Sequence, residues 1–117
     1  MQPKELLKHI VKILDKKNGV NLKALEVADL TSVADYFVLV SGTSTTHVKA
    51  LSETLEEEMT NLGVEPAHIE GKSTGWILLD YLSVVVDVFT PEERERINME
   101  KLWGDAKETD LSAWLAD

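Results

Sequence analysis

Apolar residues return at three- and four-residue intervals from the beginning of the chain. Leu6, Leu7, Ile10, Val11, Ile13 and Leu14 fall on one stripe of a helix over residues 4–17, with polar residues facing away. Lys16 and Lys17 sit at the negative end of its dipole, and Asn18-Gly19 supplies the left-handed turn that ends it. Two β-prone segments follow, at 21–27 and 35–41, the second the more apolar. Gly42-Thr43-Ser44-Thr45-Thr46 breaks that pattern before Val48, Leu51, Leu55, Met59 and Leu62 restore helical spacing, so a second helix starts near Thr45 and stops at Gly63. Its far side carries Glu53, Glu56, Glu57 and Glu58 and reads as solvated.

Beyond Pro66, strands are expected at 67–70, 76–81 and 84–89, with the last two joined by a turn short enough to force antiparallel pairing. Thr90-Pro91-Glu92-Glu93 has the composition of a helix start, with Thr90 as cap, proline in the first turn and Glu93 placed to complete a capping box. This third helix is expected to continue to Leu102 or Trp103. Asp110 then precedes Leu111, Trp114 and Leu115 at the spacing of a short terminal turn. The order α-β-β-α-β-β-β-α predicts one α/β domain with a mixed sheet of about five strands flanked by helices.

Length and charge narrow the function. A chain of 117 residues suits one core, and a net charge of −9 repels phosphate while favouring a basic protein partner. With no cysteine there is no disulfide, thiolate nucleophile or cysteine-held metal. The longest unbroken apolar run, residues 36–40, falls far short of the roughly twenty residues a membrane span needs. Met1-Gln2-Pro3-Lys4-Glu5 lacks the pattern of a secretory signal. The expectation is a cytoplasmic protein with no membrane association, no sequence-specific nucleic-acid binding and no cofactor.

Candidate chemistry is sparse. Gly71-Lys72-Ser73 lacks the upstream glycine of a phosphate-binding loop, having Pro66 there, and leads toward a strand instead of a helix. Gly42-Thr43-Ser44 is the better anion candidate, although ordinary strand-to-helix turn chemistry explains it more simply. His9, His47 and His68 lack the spacing of paired metal ligands, and a hydrolytic serine beside His47 has no supporting pattern. Asp80 and Asp87 close on adjacent strands suggest a structural or docking pair more than an acid–base pair. The apolar signal is stronger: alternation along Trp76-Ile77-Leu78-Leu79-Asp80-Tyr81 puts Trp76, Leu78 and Asp80 on one face and Ile77, Leu79 and Tyr81 on the other. Either both faces are covered, or one stays open as a binding surface. Trp103 reads first as a core anchor.

Asp35-Tyr36-Phe37, Ser41-Gly42-Thr43-Ser44, Glu70-Gly71, Trp76 through Tyr81, Val84 through Thr90-Pro91-Glu92, and Leu102-Trp103-Gly104-Asp105-Ala106 together resemble the ribosomal silencing factor, or Iojap, family. The resemblance covers residues 1–106 and leaves 107–117 as a C-terminal tail. It implies a nucleotidyltransferase-like fold without catalytic residues, since no Asp-x-Asp or Asp-x-Glu pair follows the Gly42-Thr43-Ser44 turn. It also implies a non-enzymatic function: binding to the large ribosomal subunit at its L-fourteen protein, which blocks joining of the small subunit and lowers translation when nutrients are scarce. Carried over, the docking segment is Trp76, Leu78, Asp80 and Tyr81, with Glu70 and Lys72 beside it. Three positions depart from the family: Asp87 replaces a frequent histidine, Leu82-Ser83 a frequent Gly-Asp, and Arg96-Ile97 a frequent aromatic pair. An acidic Asp87 would draw a basic partner or alter a dimer contact. Two alternatives stay open: a small ligand-binding or transferase domain using the Gly42-Thr43-Ser44 turn, and a homodimerisation module.

Overall fold

The computed structural model describes residues 1–72 and 74–115. Helix α1 spans Pro3–Lys16 and buries Leu6, Leu7, Ile10, Val11, Ile13 and Leu14, the stripe expected from their spacing. Asn18, at φ +65°, takes the left-handed conformation that ends it, while the Gly19 N–H donates to the Leu14 carbonyl at 2.9 Å. Gly19 is needed for a different reason: a Cβ there would lie 2.6 Å from Val40 and 2.9 Å from the Leu14 carbonyl oxygen.

Strands β1 (Val20–Glu26) and β2 (Tyr36–Ser41) pair antiparallel, and α2 (Thr45–Asn61) crosses over from β2 to β3 (His68–Glu70). Strands β4 (Trp76–Asp80) and β5 (Val84–Phe89) complete an antiparallel meander, and β5 returns parallel to β2. This is the mixed arrangement expected from one helical crossover followed by short turns. Helix α3 (Pro91–Ile97), α4 (Met99–Leu102), β6 (Lys107–Glu108) and α5 (Ser112–Leu115) finish the described chain. The sheet therefore has six strands, not about five, in the order β3-β4-β5-β2-β1-β6. The added strand comes from the segment read as a tail. It pairs with Leu25 and Glu26 while Leu111 enters the core, with Trp114 and Leu115 packed against it.

Two apolar layers enclose the sheet. On one side α1 and α2 meet Val38, Val40, Ile77, Leu79, Tyr81, Val84, Val86 and Val88. On the other, Ile97, Met99, Trp103 and Ala106 rest on Leu25, Val27, Phe37, Leu39, Val85 and Phe89. Trp103 meets Phe37 edge-on with ring centroids 5.0 Å apart, so it is an anchor of this layer.

The expected single third helix is broken. Asn98, at φ +50°, ends α3, and its side chain accepts the Lys101 N–H at 3.3 Å to start α4. Helical spacing alone does not reveal this, because asparagine tolerates a left-handed backbone at a price other residues resist. The capping box is also only half formed. Thr90 Oγ1 accepts the Glu93 N–H at 3.3 Å, but the Thr90 N–H donates to the Gly75 carbonyl, and Glu93 is held instead by Arg96 Nη2 at 2.6 Å. Thr90→Ala is accordingly expected to lower unfolding stability by about 1 kcal/mol with the fold retained, read by urea denaturation.

Candidate functional site

The β3–β4–β5 side of the sheet carries the residues singled out by sequence. Pairing sets Trp76 opposite Phe89, Leu78 between Glu70 and Asp87, and Asp80 between His68 and Val85. Strand alternation sends Ile77 and Leu79 to the opposite face, under α2, where both are fully buried. Trp76, Leu78 and Asp80 are only half-buried. Glu70 is exposed on the edge strand, with its carboxylate 2.9 Å from His68 Nε2. These four residues, Glu70, Trp76, Leu78 and Asp80, form one surface.

Tyr81 does not join it. With 5% exposure it lies in the α2-side core, and its hydroxyl is buried without a hydrogen-bond partner among the described residues. Burial, reinforced by the charge of Glu56, raises its pKa well above the ordinary tyrosine value. The expectation that Tyr81 belongs to the docking surface is thus corrected: the pleat points it inward. Lys72 is exposed on the β3–β4 hairpin and lines a concavity of about 310 Å³ with Lys49, Glu53, Glu56 and Ile69, on the α2 side. It borders the Trp76 face without being part of it.

The hairpin itself is tightly specified. Gly71 has φ +78°, and a Cβ there would collide with the Trp76 carbonyl oxygen. Thr74 Oγ1 accepts the Trp76 N–H at 3.2 Å and lies 2.7 Å from the Trp76 carbonyl oxygen, fixing the start of β4. The phosphate-loop comparison involved Ser73, which lies outside the described residues.

Trp76 is positioned by two contacts. Its ring stacks on Phe89 with centroids 5.7 Å apart and 23° between planes, and its indole N–H donates to Asp87 Oδ1 at 2.8 Å. Asp87 is 1% exposed, and its Oδ2 has no hydrogen-bond partner among the described residues. Burial pushes the carboxyl up to about 6, opposed in part by the indole hydrogen bond. Because it is buried, Asp87 is out of a partner's direct reach, correcting the expectation of direct attraction: it acts from beneath, through Trp76. Nor do Asp80 and Asp87 form a pair. Asp80 stands opposite Val85 and spends Oδ1 on the Leu82 N–H at 2.7 Å, a structural role within the β4–β5 turn.

The Gly42-Thr43-Ser44 turn is occupied by the protein's own groups. Gly42 N–H donates to the Phe89 carbonyl, Thr43 N–H to His47 Nδ1 at 2.8 Å, and Ser44 Oγ caps the His47 N–H at 3.1 Å. With Nδ1 accepting, His47 carries its proton on Nε2, which donates to the Lys17 carbonyl at 3.1 Å. Turn and capping chemistry account for these residues. Among the described residues no group of three or more histidine, aspartate or glutamate side chains is arranged to hold a metal.

Sequence reasoning missed Arg94. It is 7% exposed, donates through Nη1 to the Asn21 carbonyl at 2.7 Å and Ser41 Oγ at 3.0 Å, and through Nε to Glu100 at 3.2 Å. Nothing in Pro91-Glu92-Glu93-Arg94-Glu95-Arg96 distinguishes it from the exposed Arg96 beside it.

Comparison with known proteins agrees along the whole chain. The family model described as ribosomal silencing factor during starvation matches residues 1–117. The ribosomal silencing factor of Bacillus subtilis is 36% identical over 112 residues, with 95% of each chain covered. A Mus musculus protein named for mitochondrial assembly of the ribosomal large subunit is 34% identical over 98 residues, which span 80% of this chain and 43% of that one. A crystal structure of a Chromobacterium violaceum protein superposes with a TM-score of 0.86 at 31% identity, covering 89% of this chain and 88% of the other.

The raised carboxyl of Asp87 has a stability consequence of definite sign. Its folded pKa, about 6, exceeds the ordinary 3.8, so between these values the folded state holds the extra proton and stability falls as pH rises. The loss levels off above pH 6 and amounts to on the order of 3 kcal/mol. Asp87→Asn keeps an oxygen for the indole and removes the charge. It is expected to be the more stable protein at pH 7.5 and to lose this pH dependence, as read by urea denaturation across pH 4 to 7.5.

Proposed function

The chain belongs to the ribosomal silencing factor family of non-catalytic, ribosome-binding regulators, and we propose that it docks on the large ribosomal subunit through the Glu70–Trp76–Leu78–Asp80 face. In this reading the contact is the L-fourteen protein, and the body of the domain then occupies the space the small subunit needs. Subunit joining is blocked by occupancy, and translation falls under nutrient limitation. The observation that carries the assignment is the half-open Trp76–Leu78 patch, which is apolar at its centre and acidic at its rim. Apolar centres supply affinity in protein interfaces, while charged rims guide encounter and orientation.

Size permits this. A specific interface covers about 800 Å² on each partner, roughly an eighth of the 6649 Å² accessible surface. One sheet face with its bordering loops is enough. Proteins embedded in ribosomal RNA are rich in lysine and arginine because they neutralise phosphate, and a domain of net charge −9 complements them. Relation to nucleotidyltransferases, in this reading, concerns fold ancestry alone. Cytoplasmic location follows from the ribosomal role and from the bacterial relatives. Among the described residues no helix is long and apolar enough to cross a membrane. Self-association through the same open face would compete with docking.

Sucrose-gradient sedimentation of mixed subunits provides the test. Added protein is expected to diminish the joined-particle peak and to travel with the heavier subunit; full subunit joining at saturating protein would end the proposal. Trp76 is a poor first target, since its removal strands the buried Asp87 carboxyl. Leu78→Ala is the cleaner probe. It is expected to stay folded and to bind large subunits about tenfold or more weakly, measured by co-pelleting.

A further inference from the structure

The β4–β5 turn is built around a residue poorly suited to it. Leu82 adopts φ +71°, a left-handed conformation strained for any residue bearing a branched side chain, and that side chain is 67% exposed. Burial does not repay the strain. Surrounding hydrogen bonds nonetheless hold the turn rigid: Asp80 Oδ1 accepts the Leu82 N–H at 2.7 Å, and the Tyr81 N–H donates to the Val84 carbonyl at 2.9 Å. The Ser83 carbonyl accepts from the Asp35 N–H at 2.8 Å and the Tyr36 N–H at 3.1 Å, tying the turn to the loop between β1 and β2.

That loop presents a second exposed aliphatic residue, Val33, at 69% exposure, with its N–H fixed to Thr31 Oγ1 at 3.1 Å. Val33 and Leu82 line one shallow concavity of about 400 Å³, with Asp35 and Asp80 also on its wall. Two water-exposed aliphatic side chains on a hydrogen-bonded frame, one of them strained, cost stability and return none in the isolated chain. Such a combination marks a contact surface.

We propose that Val33 and Leu82, flanked by Asp35 and Asp80, form a second docking contact, which receives a lysine- or arginine-bearing aliphatic segment of the protein that the Trp76–Leu78 face meets. This rests on the docking reading above and extends it. Charge selects the occupant: two carboxylates on a domain of net charge −9 repel nucleic-acid phosphate and attract a basic polypeptide. Continuity selects the partner. Asp80 belongs to both surfaces, since it pairs beside Val85 on the open face and its carboxylate supports Leu82 in the turn.

Leu82→Gly separates strain from contact, because glycine relaxes the turn and removes the side chain. The variant is expected to be at least as resistant to urea as the parent while binding purified large subunits about fivefold or more weakly. Leu82→Asn, which tolerates the same backbone, should behave alike in binding. Parental affinity in folded Leu82→Gly, with Leu78→Ala still impaired, overturns this inference and leaves the docking reading standing. Parental affinity in both variants overturns both. A change confined to self-association, measured by sedimentation of the free protein, would assign the surface to a second copy and overturn the basic-partner proposal. Reduced urea resistance in Leu82→Gly would refute the argument from strain.

Discussion

A sheet has two faces to cover, and this chain has helix enough for one. Six strands spaced about 4.8 Å apart make a surface some 24 Å wide between its edge strands. Helices of 14 and 17 residues, about 21 and 26 Å long, match that width on the α1–α2 side. On the other side α3 and α4 contribute 7 and 4 residues, each about 10 Å or less. They cover the β1–β2–β5 region around Phe37 and Phe89 and leave the β3–β4 edge uncovered. The open surface is a result of helix length, and the rest of the site follows from where that shortage falls.

At the boundary between covered and uncovered stands Trp76. One side of its ring belongs to the core, stacked on Phe89, and its N–H is fixed by a carboxylate removed from solvent. A buried aspartate with one unpartnered oxygen is an expensive way to hold an indole. Its return is pre-organisation. A tryptophan already confined to one orientation loses less freedom on binding, which improves affinity without any new contact. Asp87 thus serves the surface without touching what the surface meets.

Legibility in the sequence followed the strength of local pattern. Helix α1, helix α2 with its Gly63 stop, and strand β5 were readable because long runs repeat at one period and end in residues with clear conformational preferences. The alternation of β4 correctly separated Trp76, Leu78 and Asp80 from Ile77 and Leu79. It also groups Tyr81 with Ile77 and Leu79, the set that lies buried, whereas the family resemblance assigns Tyr81 to the docking segment, where the structure does not put it. Strand β6 was invisible for a different reason. Lys107 and Glu108 carry no apolar alternation, and their pairing is imposed by neighbours: Ala106 packs on one side of the sheet and Leu111 enters the other. Asp87 resembled a surface charge because burial of a lone acid depends on a partner eleven residues away.

Short helices pose a final problem that burial alone does not solve. With about two turns and one turn respectively, α3 and α4 gain little from their own hydrogen bonds, yet they must stay seated for Trp103 to reach Phe37. Arg94 supplies the attachment. Its guanidinium reaches β1 at the Asn21 carbonyl, β2 at Ser41, and α4 at Glu100. The irregularity in β1 between Val20 and Lys23, with Asn21 at φ +52°, takes that carbonyl out of regular pairing with β2 and makes it available. A charge this buried is tolerable because its bonds reach three separate elements and an acidic partner. By fixing the two short helices against one half of the sheet, Arg94 determines which half is covered, and therefore which half remains free to bind.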